Sequence, residues 1–425
     1  MNKQIIKKVI GEKQQQIVKT HLLQRAERFD EHTCYVLIGI RRAGKSFTLY
    51  QDIQEKLSSG KANIEDILYV NFDDERLASF RADELGLLLD AFWEMYDQKR
   101  PLIYLDEIQN ITGWEKFARR LAEAKYQVMI TGSNAKMLSH EIASTLGGSY
   151  IQRHIYPFSF EEYLKYNDVL LDKNWEFQPN KQLAVVRHFN EYFYHGGFAE
   201  SFDKTDRREW LTSLYQKILM GDIMERNKIR NSRIFRLLAR KIADSVMQPT
   251  TLKRLEHIIK STGDSISPTV LKDYLGYMED AYLIFSIPNL VSPLTEQQTI
   301  VKRYYADNGI LNLFLMNGET KLLENIVAIH LHQLYHNTAD EPRLFYYYKG
   351  IEVDFCIPET NQAIQVSYNI DDINTYEREV GGLVKFLKAF KQYRGIVVTW
   401  DTEQQITEEG INIEIVPVWK WLLTY

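Results

Sequence analysis

The distribution of apolar and polar residues divides the chain into three stretches with different patterns. Between residues 34 and 134, short apolar runs alternate with segments in which apolar residues recur at helical spacing. Apolar runs separated by helices are typical of parallel strands that are covered on both faces. We therefore predict that residues 1–157 form an α/β domain with a parallel sheet, whose strands lie within 34–40, 66–75, 101–109 and 126–134.

The remaining two stretches differ from the first and from each other. Residues 158–300 are predicted to be mainly helical, and within them residues 249–287 have the pattern of a winged helix. Ser267 and Pro268 would cap and begin its second helix, and YLIFSI would be the wing strand. After residue 300 helical and strand-like patterns mix, so residues 301–425 are predicted to form a separate α/β domain.

Length and composition limit the classes of function. A chain of 425 residues is too long for one ordinary domain, which agrees with three predicted parts. No apolar run reaches membrane-spanning length, and the N-terminus lacks the apolar core of a signal peptide. The two cysteines, Cys34 and Cys356, have no metal-binding spacing. These features predict a cytoplasmic protein with no membrane partner and no thiolate zinc site.

One basic stretch stands out in an otherwise acidic chain. The net charge is -5, but residues 226–260 contain ten Lys or Arg residues and only two acids, Asp244 and Glu256. A local excess of positive charge beside a predicted winged helix is a candidate for contacting DNA phosphates. The alternatives are a solvated helix face, or ion pairs with acidic neighbouring domains.

The segment VLIGIRRAGKSF (36–47) carries the strongest chemical signal, since it matches the pattern G-x-x-x-x-G-K-[ST] between a strand and a helix. Glycines let the backbone wrap a phosphate, and the amides of the loop and of the helix N-terminus form an anion site. Lys45 would reach the β- and γ-phosphates, and Ser46 would bind Mg²⁺. The candidate nucleotide-binding residues are Gly39, Ile40, Arg41, Arg42, Ala43, Gly44, Lys45, Ser46 and Phe47.

Two further polar groups follow other predicted strands. Asp106 and Glu107 end the strand LIYLDE, where Asp106 would hold the Mg²⁺ ion and its water shell, and Glu107 would activate the attacking water. Ser133 and Asn134 follow the strand VMITG and offer a sensor for the γ-phosphate, with Asn134 preferred. A helix cap or turn role for Asn134 is an equal alternative.

Seven segments of the chain resemble, in order, a large prokaryotic family of AAA-fold P-loop ATPases. They are GIRRAGKS, YVNFDDERL, YLDEIQNITGWEKFARRL, ITGSNAKMLSHEIASTLGG, YPFSFEEYL, YHGGFAE and YYADNGILNLF. In that family the ATPase is followed by a winged helix and a restriction-endonuclease-like C-terminal domain. The resemblance covers nearly the whole chain. It implies ATP binding and hydrolysis in a homo-oligomer, without identifying the cellular role.

The resemblance also bears on the arginines. Arg41 and Arg42 match the paired arginines of the family, and they would contact phosphate or a neighbouring subunit. An ion pair with the acidic residues 72–75 is an equal alternative. Family members carry an arginine soon after the Leu-Gly of TLGG, where this chain has Ser149. The next arginine, Arg153, is the candidate finger that completes a neighbour's site, with Arg119 and Arg120 behind it.

The last domain resembles a PD-(D/E)xK nuclease that has lost part of its site. Asp354 fills the first acidic position and Glu324 offers an outer carboxylate. The acid and lysine of the E-x-K positions are replaced by Gln365 and Ser367. Because hard divalent cations need anionic oxygen ligands, nuclease activity is not expected. The chain is thus predicted to be an ATPase, and the alternative is a nucleotide-gated scaffold that barely hydrolyses ATP, for which Glu107 would not be needed.

Overall fold

The chain divides into two compact units, each with most of its contacts within itself. The computed structural model describes residues 2–97, 99–133, 146, 148–293, 300–335 and 341–425. Unit 1 comprises Met1–Tyr156 and Asp280–Tyr282, and unit 2 comprises Pro157–Glu279 and Leu283–Tyr425. In the described residues, no helix combines the length and the apolar character that crossing a membrane requires.

Unit 1 is built on a parallel five-stranded sheet with the order β2-β3-β4-β1-β5. β1 is buried along its whole length, as its unbroken apolar sequence predicts. The parallel sheet of a P-loop NTPase is therefore confirmed for this part of the chain. The strands are β1 (Cys34–Ile38), β2 (Ile67–Asn71), β3 (Leu102–Asp106), β4 (Val128–Gly132) and β5 (Tyr150–His154).

Helices pack on this sheet and close its core. The first helix was not predicted, although its apolar residues recur at helical spacing and Ile6, Val9 and Ile10 enter the main core of the unit. Its N-cap, Asn2, accepts a hydrogen bond from the amide of Gln4. The helices are α1 (Lys3–Lys19), α2 (Lys45–Ser58), α3 (Leu87–Tyr96) and α4 (Glu115–Glu123).

The first part of unit 2 is mainly helical, as predicted. A π-helix, Ile218–Glu225, continues from the third of its helices. A three-stranded antiparallel sheet has the order β6-β8-β7, so the strand that begins at Ile300 pairs with strands of the preceding stretch. The elements are α5 (Phe160–Tyr166), α6 (Pro179–His195), α7 (Arg207–Lys217), α8 (Ser232–Asp244), β6 (Thr250–Thr251), α9 (Leu252–Ser261), α10 (Pro268–Asp280), β7 (Ile284–Pro288) and β8 (Ile300–Tyr305).

The rest of unit 2 contains a mixed six-stranded sheet with the order β13-β14-β12-β11-β10-β9. β10 pairs antiparallel with β9 and β11, while β11 and β12 are parallel. The elements are α11 (Asn308–Asn312), α12 (Glu319–Leu334), β9 (Phe345–Tyr348), β10 (Glu352–Ile357), β11 (Gln362–Val366), α13 (Ile373–Ala389), β12 (Arg394–Thr399), β13 (Gln404–Glu408), β14 (Ile411–Pro417) and α14 (Val418–Thr424).

A buried carboxylate joins two distant segments of unit 2. Asp307 caps α11 and accepts hydrogen bonds from the amides of Ile310, at 3.1 Å, and Gly197, at 2.7 Å. Burial raises the pKa of Asp307 to about 6, although these amides lower it.

Candidate nucleotide site

The loop between β1 and α2 begins at a position that only glycine can occupy. Gly39 has φ = +141°, and a Cβ atom there would lie 2.1 Å from the carbonyl oxygen of Ile155. The backbone segment that continues from β5 therefore presses directly on the loop. The glycine predicted from the motif is required both by its conformation and by this close approach.

Lys45 is the first residue of α2, directly after the loop. Its side chain is 3% exposed, and its Nζ donates hydrogen bonds to the carbonyls of Gly39, at 2.9 Å, and Ile40, at 3.1 Å. Gly44 has a left-handed backbone conformation and is the N-cap of α2, so the amides of the first turn point towards the loop. A helix N-terminus with a lysine beside it is an anion site by its partial and full positive charges.

Arg25 braces this loop from the segment that precedes β1. Its Nη1 donates to the carbonyl of Ala43, at 3.2 Å, and to that of Tyr156, at 3.0 Å. Its backbone is in turn held by Gln51 of α2, whose side-chain amide accepts from the Arg25 amide and donates to the Arg25 carbonyl. One guanidinium thus ties the P-loop to the segment that follows β5.

Asp106 ends β3 as a fully buried carboxylate. Its Oδ2 accepts hydrogen bonds from the hydroxyl of Tyr69, at 2.5 Å, and from the side-chain amide of Asn71, at 3.0 Å. Its Oδ1 accepts from the hydroxyl of Thr131, at 2.5 Å. Three donors therefore hold the orientation of this carboxylate, and one acceptor position remains on Oδ1.

Glu107 follows directly and turns the chain away from the strand with φ = +53°. Its amide donates to the same Thr131 hydroxyl, at 2.9 Å. Burial raises the pKa of the Glu107 carboxyl, and the positive charge of Lys45 opposes this rise. The electrostatic influence of Lys45 on Glu107 links the P-loop to the acids across the site.

Gln109 bridges Glu107 to the end of β4. Its side-chain amide donates to the Glu107 carboxylate and, at 3.4 Å, to the hydroxyl of Ser133. The Oε1 atom of Gln109 is buried and has no hydrogen-bond partner among the described residues. Gln109 therefore positions the Glu107 carboxylate, and its own oxygen remains a buried acceptor.

The strand order brings most of the predicted residues to one edge of the sheet. β4 lies between β1, which ends at the P-loop, and β3, which ends at Asp106 and Glu107. Ser46 follows Lys45 in the first turn of α2, and Phe47 is 48% exposed. Arg42 is exposed and has φ = +68°.

Arg153, a further predicted residue, is placed differently. Arg153 lies exposed on the edge strand β5, with its guanidinium carbon 5.7 Å from the ring centre of Tyr35. Asn134, the predicted sensor, lies outside the described residues. The roles of both remain predictions.

Sequence reasoning missed five side chains that shape this site. Asn71 had a usable signal, because it is a polar residue at the end of an apolar strand, as Asp106 is. Thr131 lies within an apolar run and Gln109 follows an acid pair, so neither is distinctive in sequence. The five are Arg25, Tyr69, Asn71, Gln109 and Thr131.

Comparison with known proteins places the chain in a family. A family model described as an AAA domain matches residues 31–164, and one described as a domain of unknown function (DUF8612) matches residues 186–321. The uncharacterized protein MJ1544 of Methanocaldococcus jannaschii is 33% identical over 403 residues, or 92% of this chain and 88% of that protein. An uncharacterized protein of Haemophilus influenzae is 28% identical over 425 residues, or 96% of this chain and 98% of that protein.

Among solved structures, the Walker-type ATPase PABY2304 of Pyrococcus abyssi matches 66% of this chain and 90% of its own, with 16% identity and a TM-score of 0.37. That likeness is low, so the assignment of unit 1 rests on the AAA domain match and the geometry of the P-loop. The chain therefore belongs to the same family as MJ1544, and its first unit is an AAA-type P-loop ATPase domain.

Proposed function

We propose that this protein is an Mg²⁺-dependent ATPase in which Lys45 binds the β- and γ-phosphates and Glu107 activates the attacking water. The observation that carries the proposal is the Thr131 hydroxyl, which bonds both Asp106 and the Glu107 amide from the strand beside the P-loop. Holding the Glu107 backbone in this way would keep its carboxylate beside the water that attacks the γ-phosphate. The loop amides and Lys45 would stabilise the charge that develops on the transferred phosphoryl group.

The residues present fit a magnesium ion. Mg²⁺ prefers oxygen ligands and keeps several of its waters. Ser46 offers a hydroxyl, and Asp106 has one acceptor position left on Oδ1 after its three hydrogen bonds. Asp106 therefore suits an ion held through water better than one bound by both of its oxygens. The ion would supply charge neutralisation at the phosphates.

Phosphate release from ATP tests the proposal. We expect Glu107→Gln to lower turnover by about 10²–10⁴-fold with ATP binding retained, which is the usual range for losing a general base. Lys45→Ala should abolish turnover and weaken ATP binding. The matched controls, Glu123→Gln and Lys116→Ala, change exposed residues on α4 and should behave as wild type.

The outcomes separate the ATPase from a nucleotide-gated scaffold. Turnover that needs Glu107 supports hydrolysis as the function. ATP binding by wild type with equal, negligible turnover in wild type and Glu107→Gln would instead favour the scaffold. In the ATPase proposal the protein acts as a homo-oligomer, and hydrolysis drives a conformational change.

We further propose that the region from α8 to β8 is a winged helix that contacts DNA. Its elements follow the order helix, strand, helix, helix, strand, strand, and β6, β7 and β8 form one sheet. The exposed basic residues lie on α8 and α9 and just before α8, while α10 has one lysine and three acids. We therefore expect phosphate contacts from α8 and α9, and no base-specific recognition by α10.

Anisotropy of labelled duplex DNA across a salt series tests this interaction. The double variant Arg236→Ala and Arg240→Ala removes two exposed arginines of α8 and should weaken binding equally for unrelated sequences. The slope of log affinity against log salt should become shallower by about one for each phosphate that the variant no longer binds. Arg187→Ala, an exposed arginine outside the basic stretch, is the control. Salt-insensitive binding, or none, would count against the proposal.

We also propose that the end of the chain, from α12 onwards, has a nuclease-like fold without nuclease activity. The order α12-β9-β10-β11-α13-β12 supports the likeness. Gln365 stands where an acid is needed, and its side-chain amide donates to Glu379 while its oxygen accepts from the Asp354 amide. We expect no cleavage of plasmid DNA with Mg²⁺ or Mn²⁺. Cleavage abolished by Asp354→Ala would overturn this.

A further inference from the structure

A buried lysine lies among three carboxylates in unit 2. Lys302 of β8 is completely inaccessible to solvent. Its Nζ lies 2.9 Å from Glu352 Oε1, 2.9 Å from Asp354 Oδ1 and 3.3 Å from Glu324 Oε1. These residues belong to separate elements, since Glu352 and Asp354 lie on β10 and Glu324 lies on α12. Three acidic oxygens thus converge on one point, and a cation is already there.

The other contacts of this cluster fix two of its three acids in place. The hydroxyl of Tyr304 donates to Glu324 Oε1, at 2.6 Å, and the amide of Val366 donates to Asp354 Oδ2, at 2.9 Å. Glu324 and Asp354 are 1% and 5% exposed, so water does little to screen their charges. Buried carboxylates close to one another need a compensating positive charge or a bound proton, and Lys302 supplies the charge here.

We propose that the ammonium of Lys302 occupies the position that a divalent cation would take between Glu324, Glu352 and Asp354, and that it keeps metal ions out. The carboxylates supply the hard oxygen ligands that Mg²⁺ and Mn²⁺ prefer. Lysine supplies one compact charge at the same place, with three hydrogen-bond donors for three oxygens.

The position of the Lys302 ammonium matters chemically because a cavity adjoins the cluster. The cavity has a volume of about 610 Å³ and is lined by Glu324, Glu352, Asp354 and Gln365 among others. Within the described residues, no group of three or more His, Cys, Asp or Glu side chains is arranged to hold a metal ion. At this one cluster Lys302 explains the absence, because oxygens held about 3 Å from an ammonium nitrogen are too far apart for Mg²⁺ ligands at about 2.1 Å. While Lys302 occupies this position, no metal ion at the cluster can activate a water in the cavity.

Removing the ammonium should convert the cluster into a metal site. Lys302→Ala leaves room for an ion at the position of Nζ, and we expect the nucleotide-free variant to bind one Mn²⁺ more than wild type. Electron paramagnetic resonance of free Mn²⁺ counts the bound ions. Lys321→Ala is the matched control, since Lys321 lines the same cavity and donates to the Asp244 carbonyl instead of the acids. The double variant Lys302→Ala and Asp354→Asn should lose the additional ion.

Each result decides the proposal. An additional ion in Lys302→Ala alone supports it. Equal Mn²⁺ binding by wild type and a folded Lys302→Ala overturns it. If Lys302→Ala does not fold in metal-free buffer, recovery of folded protein by Mn²⁺, and not by K⁺ at equal ionic strength, supports the proposal. No recovery overturns it.

Discussion

The hydroxyl of Thr131 donates a hydrogen bond to Asp106 and accepts one from the amide of Glu107. One side chain on β4 therefore sets the orientation of the carboxylate that ends β3 and of the backbone that presents the next acid. Thr131 is fully buried, so water cannot replace either bond if the hydroxyl is removed.

Thr131→Val keeps the shape of the side chain and removes the hydroxyl. The Glu107 amide would lose its acceptor, at a cost to the free energy of unfolding of about 1–3 kcal/mol. We expect phosphate release to fall at least about tenfold with ATP binding nearly unchanged, because Asp106 and Glu107 each lose an orienting bond while the phosphate-binding loop is unchanged. Thr131→Ser retains the hydroxyl and should recover most of the rate. Equal rates for the valine and serine variants would contradict the positioning role.

Arg25→Met should loosen the P-loop by removing the guanidinium that joins the Ala43 and Tyr156 carbonyls. A hydrogen bond from a charged donor contributes about 1.5–3 kcal/mol, and about 1.4 kcal/mol corresponds to tenfold in affinity. We expect the Kd for ATP, measured by calorimetry, to rise about tenfold or more. Arg81→Met is the control, because Arg81 is largely exposed and its carboxylate contact is with Asp83, at 2.7 Å. An unchanged Kd in Arg25→Met would show that the loop does not need this brace.

Gly39→Ala should abolish nucleotide binding or folding, because the new Cβ would lie 2.1 Å from the Ile155 carbonyl oxygen. Gly60→Ala is a matched control with φ = +72° and no atom within 4 Å of the added Cβ. Its cost is conformational only, about 1–2 kcal/mol for a left-handed residue. Thermal unfolding with and without ATP distinguishes the two effects. Similar behaviour of both alanine variants would contradict the importance of the close approach.

Arg153→Ala tests the predicted finger on the edge strand β5. If Arg153 completes the site of a neighbouring copy, turnover should fall by about 10³-fold while ATP binding is retained. Mixing Arg153→Ala with Lys45→Ala should then restore part of the activity, since each copy supplies what the other lacks. Arg81→Ala, an exposed arginine paired with Asp83, is the control. Wild-type turnover in Arg153→Ala would exclude Arg153 as the finger and leave Arg119 and Arg120 as the candidates.

We predict that Asp307 makes the stability of the folded protein depend on pH. Burial raises the pKa of Asp307 to about 6 from an ordinary value of 3.8, so the folded protein holds this proton more tightly than the unfolded chain does. The stabilisation is complete below about pH 4 and is lost as the pH rises through about 6. We therefore expect the Tm of wild type to fall relative to that of Asp307→Asn between these values, and their difference to be constant above pH 7. Parallel Tm curves would contradict the raised pKa.

Local patterns in the sequence were sufficient to predict four of the five strands of unit 1 and the P-loop, but not β5. Continuous apolar runs marked β1 to β4 because strands buried on both faces leave no position for polar residues. Gly39, Gly44 and Lys45 were recognisable because phosphate binding requires their backbone freedom and charge at fixed spacing. Asp106 and Glu107 were recognisable because they follow directly after such a run.

The tertiary structure alone decided which distant side chains complete each site. Arg25 reaches the P-loop, and Thr131 reaches Asp106, through strand and loop pairings that have no local signal. Lys302 is clearer still, since a lone charged side chain is usually exposed, yet it is buried among acids from two other elements. The physical reason is that hydrogen bonds and ion pairs depend on distance in space, and packing brings together residues that lie far apart along the chain.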